Sequence, residues 1–411
     1  MKPGPMNGAA WTPDARNIVR SCKHRLPERW VPAFAGTTTQ IMNGASDGKL
    51  VPRGKLVSFA RAIVTAMTLA VLASCVSGPR ESIPGAPAHH VEGGFRNVPV
   101  RPEPDAVAFA FDRFRLAVVP NSDAAARPAR QSSAAARAAW DALGGADAVL
   151  WIGHATVLIR LGGKNILTDP VFADYVTPMP PIGPRRIVPL GLTLADLPRI
   201  DAILVSHDHY DHFEPDAIRR IAARDRPLCL LPLRVGEDDA DSARDFGCAR
   251  TERLDWGGVA RLDGLVLSLL PAQHDSGRGL FDRNHSLWGS WLLEAGSGRA
   301  LRRVYFAGDS GYGPHFARIG AAYGPIDLAL LPVAAFGPRL VNRYVHVDPP
   351  EAMRAFIDLK ARRMLAIHWG TFALGTDDTF AARTDVPRAA AEAGVAADSV
   401  WVLEIGEARR F

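Results

Sequence analysis

The sequence predicts an α/β fold in which mixed β-strands are layered against helices. With 411 residues and 47% hydrophobic content, the chain is long enough to bury a large core. Short apolar segments, typical of buried strands, alternate with segments of helical periodicity. Several apolar segments end at a histidine or an aspartate. Ligands in α/β folds collect at the carboxyl ends of strands, so the same pattern also places a candidate functional site.

The strand and helix candidates follow one another from residue 148 onwards. Strands are expected at residues 148–152, 156–161, 165–168, 202–205, 228–231, 265–270, 290–294, 303–307, 328–331 and 364–367. Helices are expected at residues 215–223, 349–360 and 381–393. The irregular stretch 171–198 is long for a loop, which indicates that it shapes a site. Its Arg185 and Arg186 either receive an anion or face solvent.

The basic charge of the chain is confined to its beginning. The formal net charge is +5, but residues 1–75 contain ten Lys or Arg and only three Asp or Glu. The remaining residues therefore carry 38 basic and 40 acidic side chains, a net charge of −2. This balance gives no support for a nucleic-acid partner.

Residues 49–75 have the pattern of a secretory signal. Basic residues precede the apolar segment 62–72, which is too short to span a bilayer as a stable helix. The segment leads into Leu72-Ala73-Ser74-Cys75, which resembles a bacterial lipobox. We therefore expect Cys75 to be lipid-modified and to hold the protein on a membrane surface of the bacterial cell envelope, facing the periplasm. A plain cleaved signal and an uncleaved anchor are the alternatives, and both also imply export.

Composition divides the rest of the chain. Residues 1–48 lack periodicity and precede the signal, so we interpret them as an over-extended translation start without folded structure. Residues 76–139, rich in Ser, Pro, Ala and Arg, are predicted to be a tether and a loosely held extension. The pair His89 and His90 in this extension is expected to be solvated rather than metal-binding. The folded domain is expected at residues 140–411.

The strongest functional signal directly follows the strand at residues 202–205. His207, Asp208, His209, Asp211 and His212 lie within six residues. Imidazole nitrogen and carboxylate oxygen are ligands that zinc accepts, and alternate residues of an extended segment point the same way. The first two histidines can therefore share one ion, while the last aspartate and histidine can face a second. A solvated polar loop, or histidines that cap the next helix, is the alternative.

Three further candidate ligands lie at the ends of other strands: His274, Asp309 and His368. A single histidine after a strand is ordinarily a core or surface residue. Four strands that all end in metal-type residues, however, can bring those residues together at one edge of the fold. Their joint occurrence predicts a metal centre.

These residues resemble a known family. The order His-x-His-x-Asp-His, followed by His274, Asp309 and His368, resembles the metallo-β-lactamase superfamily. Between about Gly94 and Thr376 the chain also resembles, more specifically, the N-acyl-phosphatidylethanolamine-hydrolysing phospholipase D family. The segments that carry this second resemblance are WIGHAT (151–156), LTDPVF (167–172), GPRR (183–186), SHDHYDH (206–212), AGDSGY (307–312), HVDP (346–349) and IHWGTF (367–372).

The resemblance implies a four-layer αβ/βα sandwich with two mixed sheets, helices outside and two Zn²⁺ ions in the cleft between the sheets. It implies His207, His209 and His274 on one ion, Asp211, His212 and His368 on the other, and Asp309 bridging the two. Asp169 would lie behind the ligands and orient one of their imidazoles. His154 is either a residue of the site or a structural turn histidine.

The resemblance also implies a chemistry. Two adjacent metal ions lower the pKa of a water held between them, so that hydroxide is available at neutral pH to attack phosphorus. Asp211 and Asp309 are therefore candidate catalytic residues. His346 is a candidate to stabilise or protonate the leaving alkoxide, or else only flanks the helix that Asp348 caps. Asp275 is expected to be exposed rather than catalytic.

The implied function is hydrolysis of N-acyl-phosphatidylethanolamine or a related phospholipid to phosphatidic acid and an N-acylethanolamine. A membrane anchor at Cys75 is consistent with such a substrate. A hydrolase of the same fold for a small soluble phosphodiester, cyclic nucleotide or lactone is the main alternative. A binding lipoprotein that uses its metals structurally is a third.

Two cysteines, Cys229 and Cys248, lie within the predicted domain. They form a disulfide if their strands are neighbours in an oxidising compartment, or they remain two buried thiols.

Overall fold

The structure is a computed structural model that describes residues 80–102, 131–237, 246–279 and 282–411. The predicted translation start, the signal segment and Cys75 lie outside these residues. Within the described ranges, no helix combines the length and the apolar character that a membrane span requires.

The described chain alternates strands and helices. The strands are β1 (His90–Val91), β2 (Gly94–Phe95), β3 (Ala148–Gly153), β4 (Thr156–Leu161), β5 (Lys164–Thr168), β6 (Ala202–Leu204), β7 (Leu228–Pro232), β8 (Arg250–Leu254), β9 (Val259–Leu262), β10 (Leu265–Leu270), β11 (Ser290–Ala295), β12 (Arg302–Phe306), β13 (Leu328–Pro332), β14 (Met364–Ile367), β15 (Val400–Trp401) and β16 (Ala408–Arg410). The helices are α1 (Ser133–Ala142), α2 (Pro215–Asp225), α3 (His315–Tyr323), α4 (Arg339–Asn342), α5 (Pro349–Asp358) and α6 (Ala382–Glu392), with short 3₁₀ turns at Gly298–Ala300 and Ala397–Ser399.

Two seven-stranded sheets form the centre of the domain. The first sheet has the order β16-β3-β4-β5-β6-β7-β8 and the second the order β15-β14-β13-β12-β11-β10-β9. Each sheet is mixed: β5 to β8 run parallel in the first, and β12 to β15 run parallel in the second. Their central strands are buried on both faces, which explains why they read as unbroken apolar runs in the sequence.

The sheets pack face to face and helices cover their outer faces. Val157 and Leu204 of the first sheet share one buried cluster with Leu267 and Tyr305 of the second. On the far side of the first sheet, Trp140 of α1 joins a separate buried cluster that includes residues of α2. Helices α3, α5 and α6 contribute buried side chains to the cluster that contains the second sheet. The predicted four-layer αβ/βα sandwich is therefore confirmed.

The N-terminal extension differs from its prediction. Residues 80–102, here called the arm, were expected to be loosely held, but β1 and β2 form a hairpin and Phe95 is buried in the main core. Helix α1 also begins within the predicted tether, at Ser133, because Ser132 caps it and Ala136 and Trp140 are fully buried. Neither segment has the long apolar stretch that marked the core strands, so composition alone concealed both.

Cys229 of β7 and Cys248 form a disulfide with Cα atoms 6.1 Å apart. This resolves the choice between a disulfide and two buried thiols. The bond closes a loop with a sequence separation of 19 residues. It ties β7 to the segment that leads into β8, at the edge of the first sheet.

Replacing both cysteines by alanine is expected to lower the free energy of unfolding by about 3 kcal/mol, because an open loop of this length gains conformational entropy when unfolded. Urea denaturation of oxidised protein and variant measures the difference. Both cysteines lie in the cluster on the helix side of the first sheet, away from the face that packs on the second sheet, so the folded variant should keep the activity of the wild type. A variant of unchanged stability would contradict the prediction.

Candidate metal centre

The candidate ligands lie where strands end at one edge of the two sheets. His207 follows β6 in the first sheet. In the second sheet, β10, β12 and β14 run in the same direction, and His274, Asp309 and His368 follow their carboxyl ends. The two sheets thus bring together residues that are far apart in the sequence, as the strand ends predicted.

Three imidazoles form the first ligand cluster. His209 Nδ1 lies 2.9 Å from His207 Nε2 and 3.2 Å from His274 Nε2. In the His207 and His274 rings the second nitrogen, Nδ1, faces a hydrogen-bond acceptor. His207 Nδ1 lies 2.9 Å from Ser206 Oγ, and His274 Nδ1 lies 3.0 Å from the carbonyl oxygen of Val345. The Nδ1 atoms of His207 and His274 therefore carry the protons of these rings, and their Nε2 lone pairs both point at His209.

The second ligand cluster contains Asp211, His212 and His368, together with His154. Asp211 Oδ2 lies 2.9 Å from His154 Nε2, 3.4 Å from His212 Nε2 and 3.5 Å from His368 Nε2. The ligand atoms of these four residues all lie within 4.8 Å of one another. The structure thus places the His154 side chain beside the proposed ligands, while its backbone, with φ +54°, forms the turn after β3.

Asp309 lies between the two clusters. Its Oδ2 atom is 3.0 Å from His368 Nε2, 3.1 Å from His212 Nε2 and 3.9 Å from His274 Nε2. It reaches imidazoles of both clusters, which is the position that the resemblance implies for a bridging carboxylate. His346 also lies beside Asp309, with its Nδ1 atom 3.7 Å from Asp309 Oδ2.

Asp169 orients ligands from behind. It is fully buried and accepts three hydrogen bonds: from His212 Nδ1 at 2.6 Å, from the Ser206 amide at 2.7 Å and from Ser206 Oγ at 2.6 Å. Because Ser206 Oγ donates to Asp169, it accepts from His207 Nδ1. One carboxylate thus fixes one imidazole directly and a second through a serine, leaving both Nε2 atoms free to bind metal.

The donor set fits metal ions. Among the described residues, His212 Nε2 and His368 Nε2 are buried and lie close to Asp309 Oδ2 without hydrogen-bond geometry, and the other oxygen, Asp309 Oδ1, is buried without a hydrogen-bond partner. In the first cluster the lone pairs of His207 Nε2 and His274 Nε2 both face His209 Nδ1. That atom can carry at most one proton, so it cannot donate a hydrogen bond to both. Buried polar atoms normally have a hydrogen-bond partner or a metal ion. A divalent cation in each cluster would bind these nitrogen and oxygen atoms and so satisfy them.

The pKa values of the clustered histidines also indicate a site for cations. Burial alone would lower the pKa of His368, but the carboxylates of Asp309 and Asp211 raise it to about 9. Burial and the neighbouring imidazoles instead lower the pKa of His274 to about 4 and that of His207 well below its usual value, despite the attraction of Asp309. The carboxylates therefore draw protons onto facing imidazoles, and metal ions would replace those protons.

Three residues of the site have strained backbone conformations. His154, Asp169 and His368 have φ values of +54°, +33° and +67°, which non-glycine residues rarely adopt. Gly308, beside Asp309, has φ +58°, and a Cβ atom there would lie 2.4 Å from the Cβ of Ser206. Such conformations persist only where surrounding contacts enforce them, and they cluster at functional sites.

The arm holds the strand end that bears His274. Asn97 is buried, and its side chain donates to the His274 carbonyl at 2.7 Å and accepts from the His274 amide at 3.0 Å. Arg101 binds Asp275 at 2.7 Å. Asp275 is therefore not the exposed residue that the sequence predicted: it is half-buried and ion-paired. Asn97 escaped the sequence analysis because it lies in a segment with the composition of a tether.

Replacing Asn97 by alanine is expected to weaken zinc binding by about 10- to 100-fold, the usual effect of losing a residue that orients a metal ligand. Competition with a fluorescent chelator measures the affinity, and amide hydrogen exchange at residues 273–275 reports the loosened backbone. Asn165→Ala is the matched control, because that side chain binds the Arg199 carbonyl on the surface. Unchanged zinc affinity in Asn97→Ala would refute the role.

Arg186 fixes the long loop beside the site. Arg186 donates to the carbonyls of Val171 and Ala173, and its guanidinium lies 4.8 Å from the centre of the Phe372 ring. Burial lowers its pKa to about 10, so it remains charged at neutral pH. Arg185 is exposed. The two arginines thus differ, and Arg186 serves to hold the loop.

Comparison with known proteins identifies the family. Residues 164–369, half of the chain, match the family model of the β-lactamase superfamily domain. The chain belongs to the metallo-β-lactamase superfamily. Its folded domain is a metal-dependent hydrolase of that superfamily. The fold is also similar to the crystal structure of a possible metal-dependent hydrolase from Veillonella parvula, with a TM-score of 0.52 and 17% identity, covering 65% of this chain and 100% of that chain.

Two relatives are similar in sequence. An uncharacterized protein of Mycobacterium tuberculosis is 40% identical over 232 residues, which are 55% of this chain and 59% of that protein. The N-acyl-phosphatidylethanolamine-hydrolyzing phospholipase D 1 of Caenorhabditis elegans is 38% identical over 238 residues, 56% of this chain and 65% of that protein. The chain thus spans less than two thirds of the length of either relative.

Proposed function

We propose that this superfamily member is a phosphodiesterase with two Zn²⁺ ions that hydrolyses N-acyl-phosphatidylethanolamine or a related phospholipid. The products would be phosphatidic acid and an N-acylethanolamine. The similarity to the Caenorhabditis elegans enzyme supports this substrate class. An anchor at Cys75, as the sequence predicts, would keep the enzyme beside a bilayer.

The observation that carries the lipid assignment is a loop that packs beside the second ligand cluster and bears exposed apolar side chains further along. The Phe372 ring lies 5.2 Å from the His154 ring and belongs to a buried cluster with Val171 and Val176. The same loop continues to the exposed side chains of Met179 and Ile182. Exposed apolar side chains on a loop that begins beside a charged centre suit a substrate with a phosphate and acyl chains, whereas a small soluble ester needs none.

The two ligand clusters would hold one ion each, with Asp309 between them. When bound, such an ion pair supplies hydroxide at neutral pH and stabilises the negative charge that develops at phosphorus. In the proposed reaction the oxygen of a water would join phosphorus, the bond from phosphorus to the ethanolamine oxygen would break, and one proton of that water would end on the leaving oxygen. Among the residues of this chain, Asp169 and Asn97 keep the ligands oriented through these steps.

His346 is the candidate to meet the leaving oxygen. Its side chain lies at the mouth of the site, 14% exposed, with its ring 5.3 Å from that of His274 and 5.4 Å from that of His368. Burial lowers the pKa of His346 well below its usual value, although Asp309 opposes this. The imidazole is therefore neutral, and its N–H can hydrogen-bond to the leaving oxygen as the bond to phosphorus breaks.

Replacing His346 by alanine should slow release of an alkyl alcohol by about 10²-fold, the usual effect of removing one donor to a developing oxyanion. Release of nitrophenolate from a nitrophenyl phosphodiester should change little, because that leaving group needs no donor. Steady-state rates on both substrates measure the difference. Equal losses on both would instead assign His346 to metal positioning.

The proposed function is tested with protein stripped of metal and reloaded with zinc. Labelled N-acyl-phosphatidylethanolamine in mixed micelles and soluble bis(4-nitrophenyl) phosphate are incubated in parallel, with His209→Ala as the inactive control. We expect labelled N-acylethanolamine from the wild type alone. Turnover of the soluble ester without any lipid product would overturn the phospholipase assignment and favour the small-phosphodiester alternative.

A further inference from the structure

A third group of metal-type side chains lies outside the candidate centre, where the arm meets the second sheet. His89 Nε2 is 2.6 Å from Asp255 Oδ1, and His90 Nε2 is 2.7 Å from Asp255 Oδ2. The ligand atoms of all three residues lie within 4.8 Å of one another. Asp255 follows β8, so the contact joins the arm to the turn before β9. The histidines are thus not the solvated pair that the sequence predicted.

The surroundings hold both imidazoles in place. The His89 ring is stacked on Trp256 at 4.3 Å, and the His90 ring meets Phe95 edge-on at 5.1 Å. The side chains of His89, His90 and Asp255 are 9%, 23% and 31% exposed. The donor atoms are therefore prearranged by aromatic packing, while the carboxylate remains accessible from solvent.

Two imidazoles and a carboxylate are a ligand set that zinc accepts. With two neutral imidazoles the group has a charge of −1, which a divalent cation would reverse. Zinc bonds of about 2.0–2.2 Å would place the ligand atoms about 3.3 Å apart in a tetrahedral site. The present N···O distances of 2.6 and 2.7 Å are hydrogen-bond distances, which would have to lengthen by about 0.6 Å when the ion enters.

We propose that His89, His90 and Asp255 form a third site for a divalent cation, with Zn²⁺ as the ion that best fits these donors. Three protein ligands leave one position to water, so this ion exchanges more readily than one in a closed four-ligand site. The site fastens β1 to the second sheet. Asn97 follows two residues after β2, so the same ion steadies the arm that holds His274.

The test is the number of zinc ions bound per chain, independent of any activity. Full-length protein is stripped of metal, dialysed against buffered zinc and analysed by plasma mass spectrometry. We expect three ions in the wild type and two in the double variant His89→Ala/His90→Ala. His285→Ala, a histidine outside every group of candidate ligands in the described residues, is the matched control and should keep three.

Two further variants and one exchange measurement test whether the double variant only loosens the arm. Asp255→Asn keeps the size of the side chain and should also lose one ion, while Asp309→Asn, altered in the main centre, should retain the ion at the arm. Amide hydrogen exchange at residues 89–97 should slow when zinc is added to the stripped wild type. Zinc content that is equal in wild type and double variant would overturn the proposal, leaving a hydrogen-bonded triad only.

Discussion

Replacing Asp309 by asparagine is expected to reduce hydrolysis by at least about 10³-fold. Its Oδ2 atom faces imidazoles of both ligand clusters, so the loss of its charge weakens the binding of both proposed ions. Metal ions stabilise a transition state by several kcal/mol, and each 1.4 kcal/mol corresponds to about tenfold in rate. The steady-state rate of hydrolysis and the zinc content per chain should both be lower in the variant than in the wild type.

Asp327→Asn is the matched control for Asp309. Asp327 is also a buried carboxylate, but it precedes β13 at the opposite end of the sheet and binds Arg302 and Arg362. We expect it to lower thermal stability while the rate is kept. Chelation of the wild type should imitate Asp309→Asn and be reversed by zinc. An Asp309→Asn protein with full activity would exclude the bridging role.

The second large effect is expected at Asp169. Its two oxygens accept three hydrogen bonds, and an asparagine has only one acceptor oxygen. If that oxygen serves His212 and Ser206 Oγ, the new amide group points its protons at the Ser206 amide. Asp169→Asn should therefore weaken zinc binding or lower kcat/KM by about 10- to 100-fold, as is usual for partners of metal-bound histidines.

Two comparisons separate this effect from a loss of stability. Ser206→Ala removes only the link to His207, so its effect should be smaller than that of Asp169→Asn. Asp201→Asn changes a carboxylate at the opposite end of β6, where it accepts from the Asn165 amide, and should leave zinc affinity unchanged. Equal zinc affinities in Asp169→Asn and Asp201→Asn would show that Asp169 does not orient the ligands.

The sequence predicted the sheets and the centre because both leave local signals. Buried strands appear as apolar runs, and β4, β10 and β14 were predicted with the observed ends. The ligands follow those runs directly. Asp348 was also recognised correctly, since a capping box with Glu351 is a local pattern.

What the sequence did not reveal depends on contacts between distant segments. Asn97 binds the backbone of His274, 177 residues away, and no local pattern marks such a pair. Edge strands such as β9 are half-exposed and carry charged residues, so they resemble loops in composition. Arg185 and Arg186 are neighbours in sequence, yet only contacts from the folded loop distinguish the exposed residue from the one that holds Val171 and Ala173.

The contacts between the arm and the metal centre affect which fragment of the chain retains an intact site. A fragment that begins at residue 140 keeps every proposed ligand from His207 to His368, and by sequence it is the complete hydrolase domain. It would nevertheless lack Asn97, Arg101 and most of α1, and so would expose the backbone of His274 to water. The smallest fragment with an intact centre therefore starts before Arg80, whose side chain binds the carbonyls of Arg283 and Asn284.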